Sequence, residues 1–334
     1  MAGLFSPFQV KNFTLRNRIV LPPMANDMAG DDGQVTESHI EHYVRRAAAG
    51  VGMIIVEHCY VRRDGRYHPH QLGIHDDALV SGLARLAQAV KACGAVVGVQ
   101  IAHAGARATY NSTGSQPVAP SDGVLMPGGH EPARALTLEE MDEIESAFVA
   151  AARRASEAGF DFVEVHGAHC FLLCEFLSPL ANRRADIYGG SLENRLRFPL
   201  RVVRAVRRAL PNDHLLLYRM PGSDFLPGGL TEEEGQQAAQ ALVAAGVEVL
   251  DVSGGMCGAE IPNWDCKSQG YFVPVAAAIK AVVPVPVIVA GGITDPHFAD
   301  QVVRSGQADL VAIGRAMLRN PHWVREAQAM LGAE

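Results

Sequence analysis

VPVIVAGGITDPHFADQVVRSGQADLVAIGR, residues 285–315, contains one complete round of the pattern that decides the fold. The β-branched run over 285–290 reads as a strand too apolar to face water on either side. Gly291 and Gly292 end it. Asp295-Pro296 then opens a helix over 295–305, the aspartate as cap and the proline in the first turn. Gly306 suits a left-handed C-cap. A second apolar run over 309–313 closes the unit and ends in Gly314-Arg315.

The same unit recurs along the chain. Strand-like runs stand at 19–24, 52–57, 95–102, 161–165, 215–220 and 247–252, besides the two above. Segments of helical period stand at 36–48, 77–93, 138–158, 194–210, 231–245, 274–282 and 321–331, besides 295–305. Eight strand–helix units of this kind predict an α/β fold, a (β/α)8 TIM barrel. The rival is an open doubly wound sheet, and a length of 334 residues favours the barrel. Residues 5–18 read as an N-terminal β-hairpin closing the barrel bottom. Residues 105–137 read as a long loop after the third strand, of a length usually tied to function. No linker interrupts the pattern, so residues 1–334 are expected to form one barrel domain.

Hydrophobic residues make up 48% and charged residues 19%, enough for a packed core, which excludes a disordered chain. The net charge is −7 and the arginines are scattered, which argues against nucleic acid and anionic membranes as partners. No apolar run is long enough to span a bilayer. Residues 1–10 show no export signal, so a cytoplasmic protein is expected. Cys59, Cys93, Cys170, Cys174, Cys257 and Cys266 contain no Cys-x-x-Cys pair, and reduced thiols are expected.

The active site of such a barrel lies at the C-terminal strand ends. Gly291, Gly292, Gly314 and Arg315 stand there after strands seven and eight, where a phosphate usually binds. His166 and His169 follow strand four, three residues apart. They could donate to a substrate oxygen, or bind a metal if Cys170, Glu175 or His58 joined them, although no spacing supports a metal. No Gly-x-Gly-x-x-Gly fingerprint follows a strand, so no Rossmann site is expected.

These residues carry a resemblance. Asn17-Arg18-Ile19-Val20 with Pro23-Met24, Gln100-Ile101-Ala102-His103, His166-Gly167-Ala168-His169 and the run over 175–195 resemble the Old Yellow Enzyme family of NADH:flavin oxidoreductases, over nearly the whole chain. The resemblance implies FMN, with NADH or NADPH as donor. It implies that Pro23, Met24, Ala25 and His58 line the flavin, that Gln100 bonds its pyrimidine edge and that Arg219 stands beside N1. It further implies that Gly291, Gly292, Gly314 and Arg315 hold the phosphate, and that His166 and His169 bind the oxygen of an α,β-unsaturated carbonyl or nitro compound. Hydride then passes to the β-carbon of this small-molecule substrate.

The sequence departs from the family at three places. The tyrosine that commonly gives the α-proton is replaced by Phe171, so solvent is expected to supply the proton, with Tyr60 the side-chain candidate. Asp27 stands where one branch has a substrate-binding tyrosine. His58-Cys59-Tyr60 replaces small residues beside the flavin. Asp27 and Tyr60 keep a second reading open, FMN-dependent oxidation or demethylation of an N-methylated amine, whose cation suits anionic and aromatic walls. A flavoprotein with little catalysis of its own is a third. The natural substrate, a homo-oligomeric state and the NADH or NADPH preference, which loop cations such as Arg107 or Arg134 would set, are left open.

Overall fold

Backbone pairing in the computed structural model, which describes residues 2–126, 131–263 and 268–332, confirms the barrel. The strands are β1 (Phe8–Val10), β2 (Phe13–Leu15), β3 (Ile19–Leu21), β4 (Met53–Tyr60), β5 (Val96–Ala102), β6 (Val118–Ala119), β7 (Arg134–Ala135), β8 (Phe162–His166), β9 (Leu215–Pro221), β10 (Val249–Ser253), β11 (Val287–Val289) and β12 (Leu310–Ala312). β1 and β2 form the antiparallel hairpin. β3, β4, β5, β8, β9, β10, β11 and β12 pair in that order, and β12 returns to β3 to close the barrel. All of these pairs are parallel, so every C-terminal strand end opens at the same mouth.

The helices are α1 (Glu37–Ala48), α2 (Val80–Lys91), α3 (Tyr110–Thr113), α4 (Leu138–Glu157), α5 (Leu172–Leu177), α6 (Leu192–Ala209), α7 (Glu232–Ala244), α8 (Val273–Lys280), α9 (Pro296–Arg304), α10 (Arg315–Arg319) and α11 (Trp323–Leu331). Their starts follow local chemistry. Thr137 and Thr231 accept from the backbone of Glu140 and Glu234, whose carboxylates reach back to the threonine N–H groups. Asp295 caps α9 through the His297 N–H. The short helices α3, α5 and α10 lie where the sequence pattern indicated loops. The segment 105–137 holds a turn of 3-10 helix, α3 and the β6–β7 pair, with residues 127–130 outside the described chain. No helix among the described residues is long and apolar enough to cross a membrane.

Side chains alternate across each strand, so the barrel interior has its own composition. Its lower half is apolar: Val20, Met53, Ile55, Phe162, Leu215 and Val249 form one buried cluster. Val10 and Leu15 of the hairpin join that cluster and plug the bottom. Two residues further up the strands the interior turns polar, with Gln100, Glu164, Arg219 and Asp251 all buried. The lower layer is filled across strands: a Cβ added at Gly98 on β5 would lie 2.2 Å from the Phe162 ring on β8.

Gly98→Ala is therefore expected to destabilise the fold by about 1–3 kcal/mol through overpacking. Urea unfolding measures this, and adding Phe162→Leu should return part of the loss. Unchanged stability in Gly98→Ala would mean that the ring moves aside without cost.

Candidate active site

A cavity of about 570 Å³ opens at the C-terminal mouth. Pro23, Met24, Ala25, His58, Gln100, Arg219, Gly291, Gly292, Gly314 and Arg315 line it, together with His166, His169 and Phe171. It has a glycine end, a charged floor and a histidine wall.

At the glycine end the backbone conformation fixes the residue type. Gly291 and Gly292 have φ of 124° and 67°, which side chains rarely adopt. A Cβ on Gly292 would lie 2.7 Å from the Tyr271 ring, and one on Gly314 would lie 2.8 Å from Met24 Sδ. Arg315, read from sequence as a phosphate ligand, begins α10 and is ion-paired to Glu260, which also lines the cavity. Arg315 also donates to Tyr271 Oη at 2.8 Å.

The floor comes from adjacent strands. Arg219 Nε lies 3.1 Å from Asp251 Oδ2, both buried. Gln100 Nε2 donates to Glu164 Oε1 at 2.7 Å. Burial raises the pKa of both acids, Asp251 to about 6 despite Arg219 beside it, and Glu164 further because the Asp251 charge repels its own. Gln100 Oε1 is buried with no partner among the described residues, an acceptor awaiting an N–H donor.

The histidine wall depends on a sharp reversal of the chain. His169 and Cys170 are consecutive residues at φ 56° and 61°, uncommon outside glycine. The reversal returns His169 beside His166, their ring centroids 5.3 Å apart. His169 N donates to the Gly254 carbonyl at 3.1 Å, and its Nε2 lies 2.7 Å from Ser253 Oγ. Phe171 packs 4.5 Å from His166 and 5.1 Å from His58, and His58 stacks parallel to His166 at 6.3 Å. Burial keeps all three imidazoles neutral. It lowers His58 to about 3, and takes His166 and His169 well below their ordinary value with further lowering from neighbouring charges.

The His58 tautomer follows from its neighbour. Gln71 Oε1 accepts the Tyr67 N–H at 2.6 Å, which directs Gln71 Nε2 to His58 Nδ1 at 2.8 Å. Nδ1 is then the acceptor and Nε2 carries the proton.

Two residues read from sequence are not brought to the cavity. Tyr60 is fully buried and stacked on His75 at 4.6 Å, because the segment after β4 folds back over it through the Tyr60 N–H to Leu72 carbonyl bond. It has no route to a substrate in the cavity. Asp27 turns outward at φ 55° and meets His68 Nδ1 at 2.5 Å, its side chain 69% exposed. Glu175 is also turned away, accepting the Ala106 N–H at 2.7 Å. Among the described residues no group of three or more His, Cys, Asp or Glu is placed to hold a metal ion. The five described cysteines are free thiols, and Cys266 lies outside the described residues. Tyr67, Gln71 and Tyr271 were not read as site residues. They lie on loops without periodicity, and the only signal for Tyr67 is an aromatic residue in the polar segment that follows β4.

A cavity divided in this way suits a long cofactor with an anionic tail and a hydrogen-bonding ring, as in a barrel flavin oxidoreductase. The chain belongs to the NADH:flavin oxidoreductase / NADH oxidase family, the Old Yellow Enzyme family, whose model matches residues 3–334. The NADPH dehydrogenase of Geobacillus sp. (strain WCH70) is 41% identical over 330 residues, covering 98% of this chain and 94% of that protein. The NADH oxidase of Thermoanaerobacter brockii is 44% identical over 331 residues, 98% of this chain, but the chain spans only 50% of its length. Morphinone reductase in complex with tetrahydroNAD is 30% identical with a TM-score of 0.84, covering 100% of this chain and 92% of that one.

His58 gives a pH test. Its folded pKa of about 3 lies below the ordinary 6.5, so below pH 6.5 the unfolded chain takes up a proton that the folded chain does not. Stability is therefore lost as pH falls through that window, by up to about 1.4 kcal/mol per pH unit for this one group. In His58→Asn the difference in urea-unfolding free energy between about pH 6.5 and 4.5 should shrink by about 2 kcal/mol. An unchanged difference would place this imidazole in contact with water.

Proposed function

We propose that this oxidoreductase binds FMN, takes hydride from NADPH or NADH, and reduces the carbon–carbon double bond of an α,β-unsaturated carbonyl or nitro compound. The reading rests on one observation, two neutral imidazoles, His166 and His169, side by side on the cavity wall beside the buried Arg219.

The residues present fit FMN. The glycine end offers close backbone approach for a phosphate, and a Cβ at Gly292 or Gly314 would crowd that space. Gln100 Oε1 needs a donor, and the pyrimidine edge of an isoalloxazine supplies N–H groups. When bound, the flavin would supply the hydride-carrying centre. Arg219, paired beneath the cavity, favours a reduced ring that carries negative charge. Gln100, held by Glu164, would orient that ring.

His166 and His169 act on the substrate. A neutral imidazole N–H donates to a carbonyl or nitro oxygen and gains strength as negative charge builds there. Burial serves this role, since the donors need no protonation change to work. Ser253 orients the second ring. Phe171 packs against the first and has no proton to give. The competing reading, oxidation of a cationic amine, drew on Asp27 and Tyr60, and neither lines the cavity.

The test is an anaerobic spectrum. The purified protein should carry a flavin released as FMN on denaturation. NADPH or NADH should bleach it, and 2-cyclohexenone should restore the oxidised band. His166→Ala/His169→Ala should slow that restoration by about 100-fold or more while leaving the flavin bound. Failure of any enone or nitroalkene to restore the band would overturn ene-reduction, and bleaching by an N-methylated amine would favour the oxidative alternative.

A further inference from the structure

Reduction of the double bond leaves one requirement unmet, since each hydride added to the β-carbon must be matched by a proton at the α-carbon. The polar groups of the histidine wall are mostly committed. His166, His169 and His58 are neutral imidazoles, and losing a proton from one would leave an imidazolate in a buried site. Arg107 is committed to the His169 carbonyl and to the Tyr67 hydroxyl oxygen. Ser253 is engaged with His169. Tyr271 lies at the glycine end, its hydroxyl donating to the Ala259 carbonyl at 2.9 Å.

Tyr67 is different. It lines the cavity on the wall of Phe171 and His58, with ring centroids 5.8 Å and 6.2 Å away. Its backbone is held from both sides: its N–H donates to Gln71 Oε1 at 2.6 Å and its carbonyl accepts from Ser112 Oγ at 3.1 Å. Its hydroxyl oxygen accepts from Arg107 Nη2 at 2.9 Å. Arg107 is itself fixed, donating through Nη1 to the His169 carbonyl at 2.9 Å, with its guanidinium carbon 4.8 Å from the Tyr67 ring centroid. A guanidinium only donates, so it occupies a lone pair of the phenol and leaves the phenolic proton free for a substrate.

We propose that Tyr67 is the general acid of alkene reduction, set by Arg107, in place of solvent and of the position held by Phe171. The proposal rests on the ene-reductase reading above. The substrate oxygen sits on His166 and His169. When hydride originating from NAD(P)H adds at the β-carbon, the π-electron pair moves toward the α-carbon and the oxygen held by the two imidazoles. The Tyr67 O–H bond breaks and its proton forms the C–H bond at the α-carbon. The phenolate left behind lies against the Arg107 cation and regains a proton from water at the cavity mouth. The sum is alkene, NAD(P)H and one proton giving the saturated product and NAD(P)+.

Tyr67→Phe keeps the ring and its packing, and stopped-flow half-reactions isolate the step. Bleaching by NADPH and reoxidation by ferricyanide, which needs no proton delivered to carbon, should stay within about twofold of wild type. Binding of the saturated ketone cyclohexanone, followed by the flavin difference spectrum, should also hold. Reoxidation by 2-cyclohexenone should slow about 100-fold. Arg107→Gln, which keeps a donor but removes the charge, should slow the same step about tenfold. Reoxidation of Tyr67→Phe by the enone at the wild-type rate overturns the proposal and returns the proton to solvent while ene-reduction stands. Wild-type enzyme that ferricyanide reoxidises and enones do not overturns ene-reduction itself, and this role for Tyr67 with it.

Discussion

The ion pair between Arg219 and Asp251 organises the upper half of the barrel. A charge inside a closed barrel loses its water, and the cost is several kcal/mol per ion unless a partner offsets it. Strand register supplies the partner, because Asp251 on β10 stands directly opposite Arg219 on β9. A second acid, Glu164 on β8, enters the same interior, where burial and the Asp251 charge raise its pKa well above the ordinary value. Glu164 accepts from Gln100, whose own amide oxygen is buried without a partner among the described residues. The floor of the site is thus one electrostatic solution spread over β5, β8, β9 and β10.

Above that floor the chemistry changes from charge to neutral donors. The imidazoles at 58, 166 and 169 are buried near Arg219 and Arg107, and both the burial and the cations oppose an imidazolium. The cations therefore reinforce the lowering that burial imposes on the histidine wall. The strained turn at His169 and Cys170 belongs to the same arrangement. Two non-glycine residues in left-handed backbone cost of order 1–3 kcal/mol each, and they persist where surrounding bonds hold them. The His169 N–H to Gly254 and the Arg107 bond to the His169 carbonyl hold this one.

The barrel was legible because its signal is repetitive and local. Each β-branched run flanked by glycine or a cap announces a strand or a helix, and the eight runs read from sequence coincide with the eight barrel strands. Gly291 and Gly292 were legible because their conformation admits little else. His166 and His169 were legible because they end a strand. The residues that do not reach the cavity lie at a strand end or beyond it, where the path of the chain decides. Asp27 follows β3 by six residues and its left-handed backbone turns it outward. Tyr60 belongs to β4, but the segment after it folds over the ring. Arg315 was placed correctly at the mouth, yet Glu260 arrives from a distant loop to take its charge. Tyr67 and Gln71 could not be paired from sequence, since the bond between them joins two loop residues that no periodicity relates.

Two of the arginines that line the cavity, Arg219 and Arg107, differ in their partners. Arg219 sits on a strand, is paired with a buried acid, and in the proposed reading would act from beneath on charge that develops in the ring of the cofactor. Arg107 comes from the loop after β5, carries no carboxylate partner in the described contacts, and bonds a backbone carbonyl and a phenol. A guanidinium whose partners are neutral keeps its field for whatever anion forms beside it. The His169 carbonyl ties that cation to the histidine wall, so in the proposed reaction oxygen binding and proton delivery would share one support.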